Sequence, residues 1–186
     1  MDDARIIRLY WDRNEKAIPA TAEKYGSYCA SISKNIVGNA EDAEECVNDT
    51  YLNAWNSMPP HKPENLSAFL GKITRNLSLN RYRRNTAGKR GGGQSAAVLD
   101  EIAEFVSDTD SVEQEVDRKE LLRAMDDFLN KLPADKRNLF VCRYWYFDSV
   151  SDMAIRFGLT ENHVSVTLHR LRMKLHNYLS ERGFEL

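Results

Sequence analysis

Lys72, Arg75, Asn76, Asn80, Arg83 and Arg84 recur at helical spacing in a stretch that has no Asp or Glu from Asn65 to Leu99. Ammonium and guanidinium groups neutralise phosphates, and amides bond to sugar, phosphate or base edges. Such a stripe suits a phosphate backbone with exposed bases. The plain alternative is a solvated basic face. Two asparagines among the cations, and the absence of acids, favour nucleic acid. A second stripe has the opposite character. Asp42, Glu45, Asn48, Asp49 and Leu52 share one side of a helical stretch, which is either a solvated acidic face or a docking face for a basic partner.

A third feature lies at Val150–Leu175, VSDMAIRFGLTENHVSVTLHRLRMKL. It reads as two helices joined by a tight turn. Gly158 suits the reversal because glycine accepts positive φ at little steric cost. Thr160 caps the second helix, its hydroxyl accepting a free backbone N–H. Met153, Phe157, Leu159, Val164 and Leu168 close one small core. This is a helix-turn-helix pattern, whose second helix ordinarily enters a DNA major groove; a helical hairpin within a bundle is the bland alternative. Glu161, Asn162 and His163 stand exposed near the start of that helix, followed by Ser165, Val166 and Thr167, then His169 and Arg170. Asn can bond adenine, Glu can accept from cytosine, and Val or Thr can touch a thymine methyl. The nearest cations are Arg170, Arg172 and Lys174, so few phosphates are neutralised here.

Composition sets these stripes in context. The chain has 186 residues and a net charge of -2, so the mean conceals a basic block, Lys72–Arg90, followed by an acidic one, Asp100–Glu120. Cys29, Cys46 and Cys142 are far apart and lie in apolar helical settings. Three unpaired cysteines read as small core residues in a reducing cytoplasm, not as a disulfide framework. His163, His169 and His176 are spaced by six and seven residues, unlike a helical metal pair, so no metal site is expected. The start, MDDARIIRLYWDRN, is acidic and is not expected to be a secretory signal, and no run approaches the ~20 apolar residues of a membrane span.

The elements that would position the stripes are all helical. A first helix is expected over residues 4–18, with Ile7, Tyr10, Trp11, Asn14 and Ile18 on one side and Pro19 ending or kinking it. A second runs from Ala20 to Val37 on Tyr25, Tyr28, Cys29, Ile32 and Ile36, and Gly38 stops it. Asn39 caps a third, whose inner face is Ala43, Val47, Tyr51, Ala54, Trp55 and Met58. Pro59, Pro60 and Pro63 make a stiff loop. A fourth helix, Leu66–Arg84, buries Leu66, Phe69, Leu70, Ile73 and Leu77. TAGKRGGGQSAA, from Thr86 to Ala97, reads as a linker, and Leu99–Val106 is expected to add a short helical turn. Further helices are expected at 112–130, with Val116, Leu121, Leu122, Met125, Phe128 and Leu129 inside, at 134–146, and at Glu161–Ser180. Ser149 with Asp152 makes a capping box for the helix between the last two. The fold class is all-α: two small helical domains, 1–86 and 112–186, joined by a flexible linker at 87–111, the second ending in a helix-turn-helix.

Taken in order, three segments carry a family resemblance. AEDAEECVNDTYLNAW (Ala40–Trp55) resembles the core-binding helix of bacterial RNA polymerase sigma factors of the extracytoplasmic-function class. SAFLGKITRNLSLNRYRR (Ser67–Arg84) resembles their helix that meets the promoter's upstream melted element. Leu132–Leu175 resembles their C-terminal promoter-reading domain. The resemblance implies that Asp42, Glu45, Asn48, Asp49 and Leu52 contact a coiled coil of the polymerase's largest subunit. It implies that Lys72, Arg75, Asn76, Asn80, Arg83 and Arg84 hold the non-template strand, and that the loop Met58–Asn65 captures an extruded base. It implies RNA polymerase core and promoter DNA as partners, admits an inhibitory anti-sigma factor, and implies no catalysis, cofactor or membrane insertion. Many relatives carry Arg or Lys where Ser165, Val166 and Thr167 stand. The competing reading is an autonomous helix-turn-helix repressor or activator. It needs a dimer interface, and no long heptad seam is present. An enzyme with a helical DNA-binding domain needs a catalytic cluster, which the scattered His and Cys do not form.

Overall fold

The computed structural model describes residues 1–86, 94–103 and 114–184. Their regular elements are all α-helices: α1 (Asp3–Trp11), α2 (Ala17–Val37), α3 (Ala40–Ser57), α4 (Leu66–Thr86), α5 (Gln94–Ala103), α6 (Gln114–Lys131), α7 (Ala134–Tyr144), α8 (Val150–Phe157) and α9 (Glu161–Ser180). The chain divides into two units, Met1–Ser95 and Ala96–Leu186, so the division falls within α5.

In the first unit, α1 starts at Asp2, whose carboxylate accepts from the Arg5 N–H at 2.8 Å. The single helix expected over 4–18 is two helices. The chain leaves the first at Trp11, Arg13 takes φ 51°, and α2 begins at Ala17. Pro19 therefore sits in the first turn of α2 rather than ending α1. A first-turn N–H has no intrahelical acceptor, so proline costs nothing there. Trp11, expected inside, is 42% exposed. Gly38 closes α2 at φ 79°, and Asn39 caps α3 by accepting from the Asp42 N–H at 2.8 Å.

α2, α3 and α4 enclose a core of Cys29, Val47, Tyr51, Ala54, Met58, Leu66 and Leu70, with Ile6, Ile7 and Tyr10 of α1. The buried line of α4 departs from the apolar periodicity. Leu66, Leu70, Gly71, Thr74 and Ser78 are buried, while Phe69, Ile73 and Leu77 are half-buried. Close approach explains this. A Cβ at Gly71 would stand 2.5 Å from the Tyr28 hydroxyl oxygen. The Ser78 and Ser33 hydroxyls are 2.9 Å apart, and Thr50 and Thr74 Oγ1 are 3.1 Å apart. Small side chains let the helix axes come close, and the hydroxyls satisfy one another or a backbone carbonyl.

In the second unit, α9 buries Val164, Leu168, Leu171, Leu175 and Leu179 along one side. Burying each leucine is worth about 2 kcal/mol relative to exposure. Phe128 of α6 meets Phe140 of α7 at a 6.4 Å centroid separation and Tyr178 of α9 at 5.5 Å. Leu122, expected in the α6 core, is 53% exposed, because Ala124 and Phe128 set the buried register; the Val116 side chain lies outside the described residues. Helix α7 ends at Tyr144, and Phe147 adopts φ 58° with its ring fully buried. Ser149 accepts from the Asp152 N–H at 3.0 Å and starts α8. Gly158 ends α8 at φ 65°, and Thr160 accepts from the His163 N–H at 3.2 Å to start α9. Met153, Val164 and Leu168 are buried as expected, while Phe157 and Leu159 are half-buried.

Residues 94–103 form α5, where only a turn over Leu99–Val106 was expected; its part beyond Ala103 lies outside the described residues. Val98 is fully buried, and burial of an apolar side chain explains why an alanine-rich stretch holds a helix here.

Candidate nucleic-acid and docking interfaces

Lys72, Asn76, Asn80, Arg83 and Arg84 are exposed on α4. Their spacing places them broadly opposite the buried line Leu66–Leu70–Thr74–Ser78. Arg84 Nε donates to its own helix at Asn80 O (3.4 Å). Arg75 differs: it is half-buried, and burial followed by the nearby Arg83 charge pulls its guanidinium below the ordinary arginine value. The arrangement presents a row of donors, without an intervening acid, to anything running along the outer side of α4.

On α3, Glu45, Asn48 and Leu52 are exposed and Asp49 is half-buried. Leu52, 54% exposed, gives this acidic face an apolar centre. Asp42 is held differently. Its Oδ2 accepts from Asn39 Nδ2 (2.6 Å) and Asn85 Nδ2 (2.8 Å), and its Oδ1 lies 3.4 Å from Arg81. The Asn39 bond, with the Asn85 and Arg81 contributions behind it, keeps this carboxyl below its ordinary value against the opposing effect of burial. Glu45 also pairs with Arg81. The sequence reading left Arg81 out of both stripes. Its register was the available signal: Arg81 and Asn85 continue the inward line of Thr74 and Ser78 and so face α3.

At the start of α9, Thr160, Glu161, Asn162, His163, Ser165, Val166, His169 and Arg170 are all exposed, and Thr167 is half-buried. Thr160 uses its oxygen as a cap acceptor and keeps its proton for another partner. Of the three cations placed nearest, Arg170 and Lys174 are exposed. Arg172 instead turns inward, where Nη1 donates to Tyr144 Oη (2.7 Å) and Glu101 Oε2 (2.9 Å). The exposed start of α9 is therefore less cationic than its sequence implies.

In the loop before α4, the His61 ring stacks on Phe69 at 5.6 Å and 21°. Pro63 is buried, and Asn65 Oδ1 accepts from the Ala68 N–H at 2.9 Å. Among the described residues no group of three or more His, Cys, Asp or Glu side chains could hold a metal ion. No described helix is long and apolar enough to cross a membrane.

The faces on α3 and α4 fall within the reach of a known family model. Residues 21–88, which take in most of α2 and all of α3 and α4, match Sigma-70 region 2. The chain is 24% identical over 154 residues to the ECF RNA polymerase sigma factor SigE of Mycolicibacterium smegmatis, covering 83% of this chain and 58% of that protein. It is 25% identical over 153 residues to the probable RNA polymerase sigma factor RfaY of Xanthomonas campestris pv. campestris, covering 82% of this chain and 38% of that protein. The chain thus spans about half the length of these curated relatives. Among solved structures it is similar to that of CnrH in complex with the cytosolic domain of CnrY, at 21% identity, 96% and 97% coverage of the two chains and a TM-score of 0.44.

Proposed function

We propose that the chain is a bacterial RNA polymerase sigma factor of the extracytoplasmic-function class, which binds the polymerase core and directs initiation at specific promoters. One observation carries the reading: the sigma-70 region 2 match over residues 21–88 contains both the acidic face of α3 and the basic face of α4. An autonomous repressor or activator has no use for that region, and this alternative is set aside.

In the proposed mechanism, Glu45, Asn48, Asp49 and Leu52 dock on a basic polymerase surface, with Leu52 supplying buried apolar area and the acids supplying orientation. Asp42 contributes by holding its neighbours in place. Lys72, Arg75, Asn76, Asn80, Arg83 and Arg84 grip the non-template strand beside the loop Met58–Asn65, which receives an extruded base. Helices α8 and α9 act as a helix-turn-helix on duplex DNA. The start of α9 reads base edges through Glu161, Asn162, His163 and Val166, while Thr160, Ser165, His169 and Arg170 meet phosphates. The chain supplies no catalysis of its own and works in the cytoplasm beside the polymerase. An anti-sigma factor that occupies either interface would silence it.

Run-off transcription with purified core polymerase tests the proposal. Core plus this chain should initiate at discrete sites on a genomic template library, and core alone should not. The absence of any start site that depends on the chain would overturn it.

A further inference from the structure

Arg13 joins the turn after α1 to the end of α3. Its Nη1 donates to the Trp55 carbonyl oxygen at 2.7 Å, and its guanidinium carbon stands 5.3 Å from the centre of the Trp55 ring. The sequence shows why that carbonyl needs a donor from outside its helix. In a continuing helix the Trp55 oxygen would accept from the N–H four residues on. That residue is Pro59, which has no N–H. Ala54 and Ser57, by contrast, keep backbone donors: their carbonyls accept from the Met58 and His61 N–H groups at 3.0 Å each. Arg13 makes its bond from a costly conformation, φ 51°, in the left-handed region that L side chains rarely adopt. The Trp55 ring lies 6.2 Å from that of Tyr10, which is fully buried with its hydroxyl 2.9 Å from Thr21 Oγ1. The end of α3 is thus tied both to the core and to the preceding turn.

The loop Met58–Asn65 leaves from this point. Met58 and Pro63 are buried, His61 stacks on Phe69, and Asn65 accepts from the Ala68 N–H. Between these anchors Pro60, Lys62 and Glu64 are exposed. We propose that Arg13 is a positioning residue for base capture: by supplying the donor that Pro59 withholds, it fixes the direction in which the loop leaves α3. It touches no base itself. Without it the last turn of α3 frays, and the loop presents its exposed residues over a wider range of positions than an extruded base can use. The proposal rests on the reading of this loop, given above, as the receiver of an extruded base.

The experiment uses the full chain bound to core polymerase and a forked DNA carrying a promoter found by run-off transcription. Each non-template nucleotide of the melted element is replaced in turn by an abasic site, and binding is measured across a salt series. In wild type one position should stand out, its abasic form binding about tenfold more weakly, as for the loss of one stacked base. Arg13→Gly keeps the turn, since glycine accepts positive φ at little steric cost, and removes the guanidinium. It should weaken binding to intact DNA about fivefold, the net worth of one hydrogen bond, and shrink the penalty at that position to about twofold. Abasic sites elsewhere should cost wild type and variant the same. Arg13→Lys keeps a donor for the Trp55 carbonyl and should restore most of the penalty. Thermal unfolding followed by circular dichroism checks that both variants fold. If Arg13→Gly keeps the wild-type penalty, or if Arg13→Lys loses it as fully as Arg13→Gly, the positioning role is refuted while the sigma-factor reading stands. A salt slope shallower by about 0.7 in Arg13→Gly would make Arg13 a phosphate contact and refute it as well. If wild type shows no such position, the captured-base reading and this proposal fall together.

Discussion

Glu101 Oε1 accepts from Arg143 Nη2 at 2.6 Å, and the same carboxylate reaches Arg172 and Tyr144 through Oε2 at 2.9 Å each. One carboxylate thus joins the end of α5 to α7 and α9 within the second unit. Arg143 is 6% exposed, and its Nη1 donates to the Asp148 carbonyl at 3.0 Å. Asp148 is itself buried and pairs with Arg156 at 2.6 Å. Arg172 Nε has no hydrogen-bond partner among the described residues. Two guanidiniums crowd one acid, so the acid carries more than its share of the local stability.

Glu101→Gln should accordingly destabilise the second unit. Hydrogen bonds to charged groups are worth about 1.5–3 kcal/mol each, and partial exposure of Glu101 reduces this to a net loss of about 1–2 kcal/mol. Burial by itself would raise the Glu101 pKa, but Arg143, Tyr144 and Arg172 together hold it below the ordinary 4.5. A depressed carboxyl stabilises the fold above its unfolded pKa and loses that contribution as pH falls through the folded value. The gap between wild type and variant in urea unfolding should be full near neutrality and should close at acid pH, below 4.5. A gap that does not change with pH would show that geometry alone, and not charge, makes the contact.

Packing of α4 against α2 supplies a second prediction. Alanine at Gly71 gains about 1 kcal/mol in helix propensity. Its Cβ, however, would meet the Tyr28 hydroxyl oxygen at 2.5 Å and the ring beyond at 3.2 Å. Overpacking of this kind costs about 1–3 kcal/mol, so Gly71→Ala should be destabilising on balance. Adding Tyr28→Phe removes the nearest atom and should restore part of the loss. Thermal unfolding of the four-protein cycle reads the coupling, and additive effects would mean that α4 shifts to make room.

The elements that were legible in the sequence are those with explicit punctuation. Gly38, Asn39, Ser149, Gly158 and Thr160 mark helix ends, and the structure uses each for that purpose. Pro19 misled because proline begins helices as readily as it ends them. The buried line of α4 misled for a different reason. Apolar periodicity selects Phe69, Ile73 and Leu77, whereas close helix contact selects Gly71, Thr74 and Ser78. Most of the residues read as stripes on α3, α4 and α9 are exposed, while Asp42, Asp49, Arg75 and Thr167 are half-buried. Arg81 and Arg172 are long side chains at the edge of a face, and their direction is decided by acids distant in the chain. Glu101 lies 71 residues from Arg172, too far for any local pattern to reveal the pair.

The docking face on α3 is tested by Asp49→Arg. Asp49 takes no part in the Arg81 network, so reversing its charge should leave the fold intact. Opposing a basic partner surface with a cation should weaken core association about tenfold or more, since like charges brought together at an interface cost several kcal/mol. Titration of labelled chain with core polymerase gives the affinity, and circular dichroism checks the helix content. Unchanged affinity would remove Asp49 from the face and move docking elsewhere on α3.

Asn162 and Arg170 on α9 should separate base reading from phosphate holding. Asn162 is exposed in the first turn of the helix, which under the proposed reading enters the groove, and a bidentate amide–adenine pair is worth about 1–3 kcal/mol of discrimination. Arg170 lies two turns further along and is exposed without an acidic neighbour on its own helix. Asn162→Ala should therefore lower transcription from the cognate promoter and relax preference at one base pair, leaving the salt dependence unchanged. Arg170→Ala should weaken all promoter variants alike and reduce the salt slope by about one. The assay is polymerase-complex binding to a set of single-base promoter variants at several salt concentrations. Because Arg172 is turned inward to Glu101, Arg172→Ala should lower stability without changing base preference. A relaxed base preference in Arg172→Ala would instead place that guanidinium in the groove and break the assignment of α9.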